Sequence, residues 1–285
     1  MKKVIAKYSK VAEKYDHVYE RHFDQMWRHI FEKEIQISED DHVLDLGCGA
    51  GRTIQHIITK YEQHKLHLYG VDFWPEMIDA SKKNLWEMRK DNHKIQLECN
   101  DCIEYLKKYE GEKYDLIIVP FLLGYVEIEK LAPALYRALK KNGQIVIITS
   151  SKEHLQELQN IFFKFAVTHV NHFNWFKVLI KKLTFLPWIG TIIKLLYENK
   201  FSKVDTELVL VKVTFEEPSA WLKWMDESAF ASQFFDMVRK IKREKIKHDL
   251  VEYATQNKLC YLNEPIEKGK PFNYNWPVYK IIARK

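Results

Sequence analysis

The chain has 285 residues, a formal net charge of +6 and four cysteines, and 46% of its residues are hydrophobic. This composition is typical of a folded globular protein and excludes a disordered or disulfide-stapled chain. The basic residues are scattered, which favours a solvated surface over a nucleic-acid-binding face. No apolar run has the length of a membrane span and no signal peptide is recognisable, so we expect a cytoplasmic protein.

Helix-like and strand-like segments alternate along the first half of the chain. After a predicted helix over residues 9–35, the predicted strands are 42–46, 65–71, 94–98, 114–120 and 144–149, separated by predicted helices 53–61, 75–90, 102–109 and 131–139. Such βα repeats predict a Rossmann-like, doubly wound parallel sheet. Ligands of these sheets bind at the carboxyl ends of the strands.

The loop after the first predicted strand, Asp45-Leu46-Gly47-Cys48-Gly49-Ala50-Gly51, is the most informative stretch. A dinucleotide pyrophosphate needs a helix N-terminus that carries no acid beside it. The carboxylate of Asp45 would repel a phosphate group and would suit a cation. Asp72 follows the second strand, where a carboxylate accepts ribose hydroxyls, and Asp101 follows the third. Three acids and three glycines therefore predict a site for a cationic, phosphate-free nucleoside such as S-adenosylmethionine.

At these loops the sequence resembles the class I S-adenosylmethionine-dependent methyltransferases, especially their small-molecule, UbiE-like members. The resemblance implies that Asp45 orients the amino group of the cofactor, that Asp72 holds its ribose and that Asp101 meets its adenine. The whole implied cofactor site is Tyr15, Asp45, Gly47, Cys48, Gly49, Gly51, Arg52, Asp72, Phe73, Met77, Asn100, Asp101, Cys102 and Pro120. The alternatives are a fold that binds a nicotinamide dinucleotide and a fold that has lost its ligand.

The resemblance also divides the chain into four parts. Residues 1–37 are expected to form a helical lid in which Tyr15 folds over the cofactor, although Tyr15 could equally be a core aromatic. Residues 38–150 form the cofactor-binding core. Residues 151–187 form a helical cap insertion. Residues 188–285 complete a seven-stranded, mostly parallel sheet, with an antiparallel last strand at 276–283, and add further cap helices.

The segment after residue 150 is rich in aromatic residues, and we interpret it as a cap that excludes water from an acceptor pocket. The segment 174–186 has a second interpretation. Its apolar residues lie opposite three lysines in a helical pattern, which is also the pattern of a helix on a membrane surface. A peripheral membrane contact is therefore an alternative to packing in the core.

Methyl transfer depends mainly on positioning, and a base matters only if the acceptor is protonated. The candidate catalytic residues are Tyr125, after the fourth strand, and His172. No metal site is expected. The Cys99–Cys102 spacing has no second pair to complete a zinc site, and His169 and His172 have no carboxylate or cysteine nearby in sequence.

The residues after the fourth strand narrow the range of possible methyl acceptors. They read Val-Pro-Phe-Leu, without the Asn/Asp-Pro-Pro-Tyr with which related enzymes hold an amide or base nitrogen, and the chain has no Pro-Cys nucleophile. We therefore expect a small-molecule acceptor, methylated on oxygen or nitrogen and apolar or aromatic. The alternatives are RNA or protein, a membrane lipid or quinone, and a non-catalytic subunit that keeps the fold.

Overall fold

The computed structural model describes residues 27, 35–88, 92–108, 111–150, 163–172, 186–217, 219–220, 243–256 and 271–285. Most of the expected N-terminal lid, including Tyr15, lies outside these residues. So do residues 174–185 of the alternative membrane-surface helix and large parts of both expected cap segments. The cofactor-binding core and the sheet are described nearly throughout.

In the described part of the chain, seven strands form one sheet, in the order β3-β2-β1-β4-β5-β7-β6. The strands are β1 (His42–Leu46), β2 (Leu66–Asp72), β3 (His93–Cys99), β4 (Tyr114–Pro120), β5 (Leu139–Thr149), β6 (Ser202–Phe215) and β7 (Phe272–Arg284). Strands β1 to β5 are parallel, and β7 pairs antiparallel with both of its neighbours. The predicted fold class is confirmed.

Helices cover both faces of this sheet. They are α1 (Arg52–Lys60), α2 (Pro75–Trp86), α3 (Cys102–Lys108), α4 (Ile128–Ala138), α5 (Ile189–Glu198) and α6 (Arg243–Gln256). Because both faces are covered, β4 is buried on both sides: Leu116 and Ile118 face one hydrophobic cluster, and Ile117 and Val119 face the other. This burial explains the unbroken apolar run of the strand.

Between β1 and β5, the element bounds differ from the predicted ones by more than two residues in three places. Helix α2 ends at Trp86 instead of residue 90. Helix α4 begins at Ile128, three residues early, because the Glu127 carbonyl accepts the first amides of the helix. The predicted turn at residues 142–143 lies inside β5, where Asn142 has a φ of 66° and the pairing with β4 shifts register. A bulge there replaces the expected turn.

Strand β7 begins earlier than its sequence pattern predicts, at Phe272 instead of residue 276. The pairing of β6 with β7 runs to Phe215 and Phe272, whereas β5 pairs with β7 only as far as Tyr279. In the added part of β7, Asn273 accepts a hydrogen bond from the Thr214 hydroxyl at 2.8 Å. We call residues 209–215 and 272–278 the β6–β7 ribbon. It projects past the carboxyl end of β5, on the side of the expected site.

Replacement of Gly70 by alanine should destabilise the sheet. A Cβ at this β2 residue would lie 2.6 Å from Leu97 Cδ2 and 3.1 Å from Cys48 Sγ, and overpacking of this kind costs about 1–3 kcal/mol. Urea denaturation of Gly70→Ala should show that loss. Gly190→Ala is the control, since its Cβ meets no atom within 4 Å and its stability should not fall. Equal stability of the two variants would contradict the packing around Gly70.

Candidate functional site

A loop of three glycines joins β1 to α1. Gly47, Gly49 and Gly51 have φ values of 85°, 51° and 90°, a region that other residues rarely adopt. The amides of Gly47 and Cys48 both donate to the Val71 carbonyl, at 2.8 and 3.0 Å. The loop therefore turns tightly across the end of β2, and the end of β1 comes to lie beside it.

Helix α2 packs against this loop through contacts that the sequence reasoning missed. The Asn84 side-chain amide donates to the Ala50 carbonyl at 3.1 Å. The buried Ser81 hydroxyl would lie 2.6 Å from a Cβ on Gly51. Neither residue belongs to a recognisable motif. The sequence signal that could have identified Ser81 was a serine on the apolar face of a predicted helix.

Asp72 connects the end of β2 to the glycine loop. One carboxylate oxygen accepts the Gly49 amide and the other accepts the Trp74 amide, both at 2.9 Å. Burial raises the pKa of Asp72, while hydrogen bonds from backbone amides of Trp74, Gly49 and Phe73 act in the opposite direction. A Cβ built on Gly49 meets no atom within 4 Å. The carboxylate is thus held beside open space.

Asp45 is completely buried at the end of β1. Neither of its carboxyl oxygens makes a hydrogen bond of acceptable geometry to any described residue. Burial raises the pKa of Asp45 to about 8; the nearby Thr53 hydroxyl lowers it, and the charge of Asp72 raises it further. An unsatisfied buried carboxyl is costly. A ligand that brings a positive charge or hydrogen-bond donors to this carboxyl would remove that cost.

The third acidic loop follows β3. The Asn100 amide donates to the Asp72 carbonyl at 3.0 Å, so the ends of β2 and β3 are joined. One oxygen of Asp101 accepts the amides of Ile103 and Glu104, at 2.9 and 3.1 Å. Asp101 therefore caps α3, a role that the sequence reasoning did not assign to it. Burial raises the pKa of the Cys102 thiol to about 12.

The remaining predicted site residues gather at the same edge of the sheet. Phe73 is half-exposed beside Asp72, Met77 is buried in α2, Arg52 begins α1 and Pro120 ends β4. The structure thus brings together every predicted cofactor residue that it describes. Their contact with a cofactor stays a prediction, and Tyr15 lies outside the described residues.

The two candidate catalytic residues occupy different surroundings. Tyr125 is half-exposed and follows the 3₁₀ turn Leu122–Gly124. His172 ends the turn Val170–His172, and its side chain lies outside the described residues. Their catalytic roles stay predictions. Leu122 is a further residue that the sequence reasoning missed: its Cδ1 would lie 3.3 Å from a Cβ on Gly47.

This geometry agrees with a comparison against known protein families. Residues 43–143, from β1 to the start of β5, match a family model described as "Methyltransferase domain". The chain carries a class I, S-adenosylmethionine-dependent methyltransferase domain. The match covers all three acidic loops and Tyr125, and it ends before β6, β7 and the expected caps.

Individual relatives are distant. Phosphoethanolamine N-methyltransferase of Plasmodium falciparum is 25% identical over 79% of this chain and 82% of its own length. Demethylmenaquinone methyltransferase of Alkalihalophilus pseudofirmus is 26% identical over 51% of this chain and 59% of its own. A similar fold is found in Haemonchus contortus phosphoethanolamine N-methyltransferase 2, whose structure is a complex with phosphomonomethylethanolamine and S-adenosylhomocysteine. The match covers 94% of the present chain at 14% identity, with a TM-score of 0.54. This chain spans only 56% of that structure, and the likeness shows the fold alone.

Neither a metal cluster nor a membrane-spanning helix is present in the described ranges. Within those ranges, no three His, Cys, Asp or Glu side chains are grouped so that they could hold a metal ion. Of the helices in the described ranges, none is long and apolar enough to cross a membrane.

Two glycine substitutions in the loop should have different effects. In Gly49→Ala the new methyl group enters the open space over the loop, so S-adenosylhomocysteine affinity should fall about 5- to 150-fold, with a modest loss of stability from the positive φ. In Gly51→Ala the new Cβ meets Ser81 Oγ, so thermal stability should fall first.

Calorimetric titration and thermal melting separate the two effects. Adding Ser81→Ala to Gly51→Ala should restore part of the lost stability, because it removes the clashing hydroxyl. Unchanged affinity in Gly49→Ala would show that the space over this glycine is not where the ligand binds.

Proposed function

We propose that this methyltransferase binds S-adenosylmethionine across the ends of β1, β2 and β3 and transfers its methyl group to an oxygen or nitrogen of a small-molecule acceptor. The observation that carries the cofactor assignment is the buried carboxyl of Asp45, which has only the nearby Thr53 hydroxyl beside it and accepts no hydrogen bond of acceptable geometry from the described residues. An ammonium group would stabilise the ionised form of this carboxyl, whereas a pyrophosphate would bring it neither a positive charge nor a hydrogen-bond donor. When bound, S-adenosylmethionine supplies an electrophilic methyl group on its sulfonium.

Each loop has a separate task in this proposal. Asp45 pairs with the amino group of the methionine part, while Gly47 and Gly49 let the backbone approach closely. Asp72, already oriented by two amides, accepts the ribose hydroxyls. The loop at residues 100–102 meets the adenine, with Phe73 and Met77 packing on the adenosine and Cys48, Arg52 and Pro120 lining the site.

The proposal for the acceptor side rests on the aromatic residues of the caps. Among the described cap residues, Phe165 is completely buried and packs edge-to-face with Tyr253 of α6. A cap of this composition would exclude water and suit an apolar or aromatic acceptor. Tyr125 and His172 are the candidates for a base, and Tyr15 for a lid over the cofactor.

A phosphoethanolamine-like amine is the second candidate acceptor. It is favoured by the Plasmodium relative, whose alignment extends well beyond the cofactor-binding core, to 79% of this chain. The two candidates make opposite demands on the pocket, since one needs flat apolar walls and the other needs groups that bind a phosphate. Methyl transfer from labelled S-adenosylmethionine to members of both classes tests the choice directly.

Loss of the Asp72 carboxylate should weaken cofactor binding. Hydrogen bonds to a charged group contribute about 1.5–3 kcal/mol, so Asp72→Asn should weaken S-adenosylhomocysteine binding about 10- to 150-fold in calorimetric titration. Asp115→Asn is the matched control, because Asp115 is paired with Lys140 at 2.7 Å at the opposite end of the sheet. If Asp72→Asn kept the affinity of the unmodified protein, the ribose assignment would be wrong.

Asp45 should couple binding to proton release. In the free protein its pKa is about 8, well above the ordinary 3.8, so the group is protonated at pH 6.5. Pairing with an ammonium lowers this pKa, and binding at pH 6.5 should release up to about one proton. Titration of S-adenosylhomocysteine in buffers of different ionisation enthalpy measures this release, which should disappear in Asp45→Asn.

The same pKa has a consequence for stability. Because folding raises the pKa of Asp45, the contribution of this residue to the free energy of unfolding is complete below about pH 3.8 and is lost as the pH rises towards 8. Asp45→Asn should therefore flatten the decline in stability of the free protein between these values. A proton release that persists in Asp45→Asn would assign the titrating group to another residue.

A further inference from the structure

We propose that Phe121 and Trp276 form an aromatic platform that binds a flat, aromatic part of the methyl acceptor; this inference rests on the proposed function. The two rings are stacked, with centroids 5.2 Å apart and planes 16° from parallel. They lie 155 positions apart in the sequence, on the loop after β4 and on the β6–β7 ribbon. Neither was assigned a role by the sequence reasoning.

The platform lies next to the cofactor loop. Phe121 directly follows Pro120 and precedes Leu122, whose side chain lies over Gly47. Gly47 belongs to the loop that we assign to the methionine part of the cofactor, which carries the methyl group. A ligand resting on the Phe121 ring would therefore be close to the group that is transferred.

The platform is also on the same face of the sheet as Asp45. Asp45 is in register with Ile118, Ile118 with Val146, and Val146 with Ile282. Residues in register point to the same face, and so do alternate residues of one strand. Trp276, six residues before Ile282 on β7, therefore shares the face of Asp45, above the carboxyl ends of the parallel strands.

Hydrogen bonds hold both platform residues in place. Phe121 has a φ of 53°, which is unfavourable for a bulky side chain, and its amide donates to the Ile148 carbonyl at 2.7 Å. The Trp276 indole donates to the Ser150 hydroxyl at 3.2 Å. Strained aromatic residues held in this way often mark binding sites.

Both rings also keep part of their surface exposed, unlike Phe165 in the same cluster, which is completely buried.

The charges along this face favour an aromatic acceptor over a phosphate. Lys280 lies four residues beyond Trp276 on β7, on the same face, and is buried. Its ammonium is paired with Glu207 at 2.5 Å, so its charge is neutralised. A face made of two stacked rings beside a neutralised lysine binds flat apolar groups through dispersion and π-stacking.

The test uses the full chain saturated with S-adenosylhomocysteine and two probes, 1-naphthol and phosphoethanolamine. Naphthol should bind more tightly than phosphoethanolamine. Trp276→Leu should weaken naphthol binding about tenfold, as expected for the loss of an aromatic contact and its buried area. Trp276→Phe keeps a ring and should stay within about threefold of the unmodified protein. Trp86→Leu is the control, because Trp86 is 70% exposed at the end of α2.

Separate titration of S-adenosylhomocysteine distinguishes the possible failures. If the unmodified chain does not bind it, the proposed function itself is wrong. If it binds but naphthol does not, or if Trp276→Leu binds naphthol normally, the platform is refuted and the cofactor site stands. A parallel loss of S-adenosylhomocysteine affinity in Trp276→Leu would assign Trp276 a structural role and also refute the platform.

Discussion

The carboxylate of Asp72 is the contact on which the site depends. It accepts one amide from the glycine loop and one from the start of α2, so it joins β1, β2 and two helices at one point. The carbonyl of the same residue accepts the Asn100 amide and adds β3. Hydrogen bonds within the protein thereby hold three loops from separate parts of the chain in a fixed relation, which reduces the entropic cost of binding a ligand.

A buried acid close to a second acid would be a poor arrangement for stability alone. Asp45 lies in the interior with its oxygens unsatisfied among the described residues, and the charge of Asp72 raises its pKa further. Residues at functional sites often contradict the rules that govern the rest of a fold, because the missing partner is the ligand. In our proposal the missing partner is the ammonium group of S-adenosylmethionine, which brings a positive charge that a dinucleotide pyrophosphate would not bring.

In our proposal the acceptor side is organised differently from the cofactor side. The proposed cofactor-binding groups lie on short loops directly after strands, whereas the proposed acceptor wall comes from the distant β6–β7 ribbon and from elements around Phe165 and Tyr253. The matched family region ends before these elements. Relatives named for such different acceptors as phosphoethanolamine and demethylmenaquinone agree with a common cofactor half and a variable acceptor half.

The sequence by itself determined the sheet, its parallel strands and the acidic glycine loop, because these depend on local patterns: apolar strand runs, glycines at tight turns and acids at strand ends. Tertiary structure alone decided the length of the β6–β7 ribbon, the support of Gly51 by Ser81 and the stacking of Phe121 on Trp276. These features depend on register between strands far apart in the chain, and no local pattern encodes which partner a half-buried aromatic residue will meet. Asp101 illustrates both cases. Its position at the site was predictable from its place after β3, whereas its capping of α3 depended on the turn of the chain there.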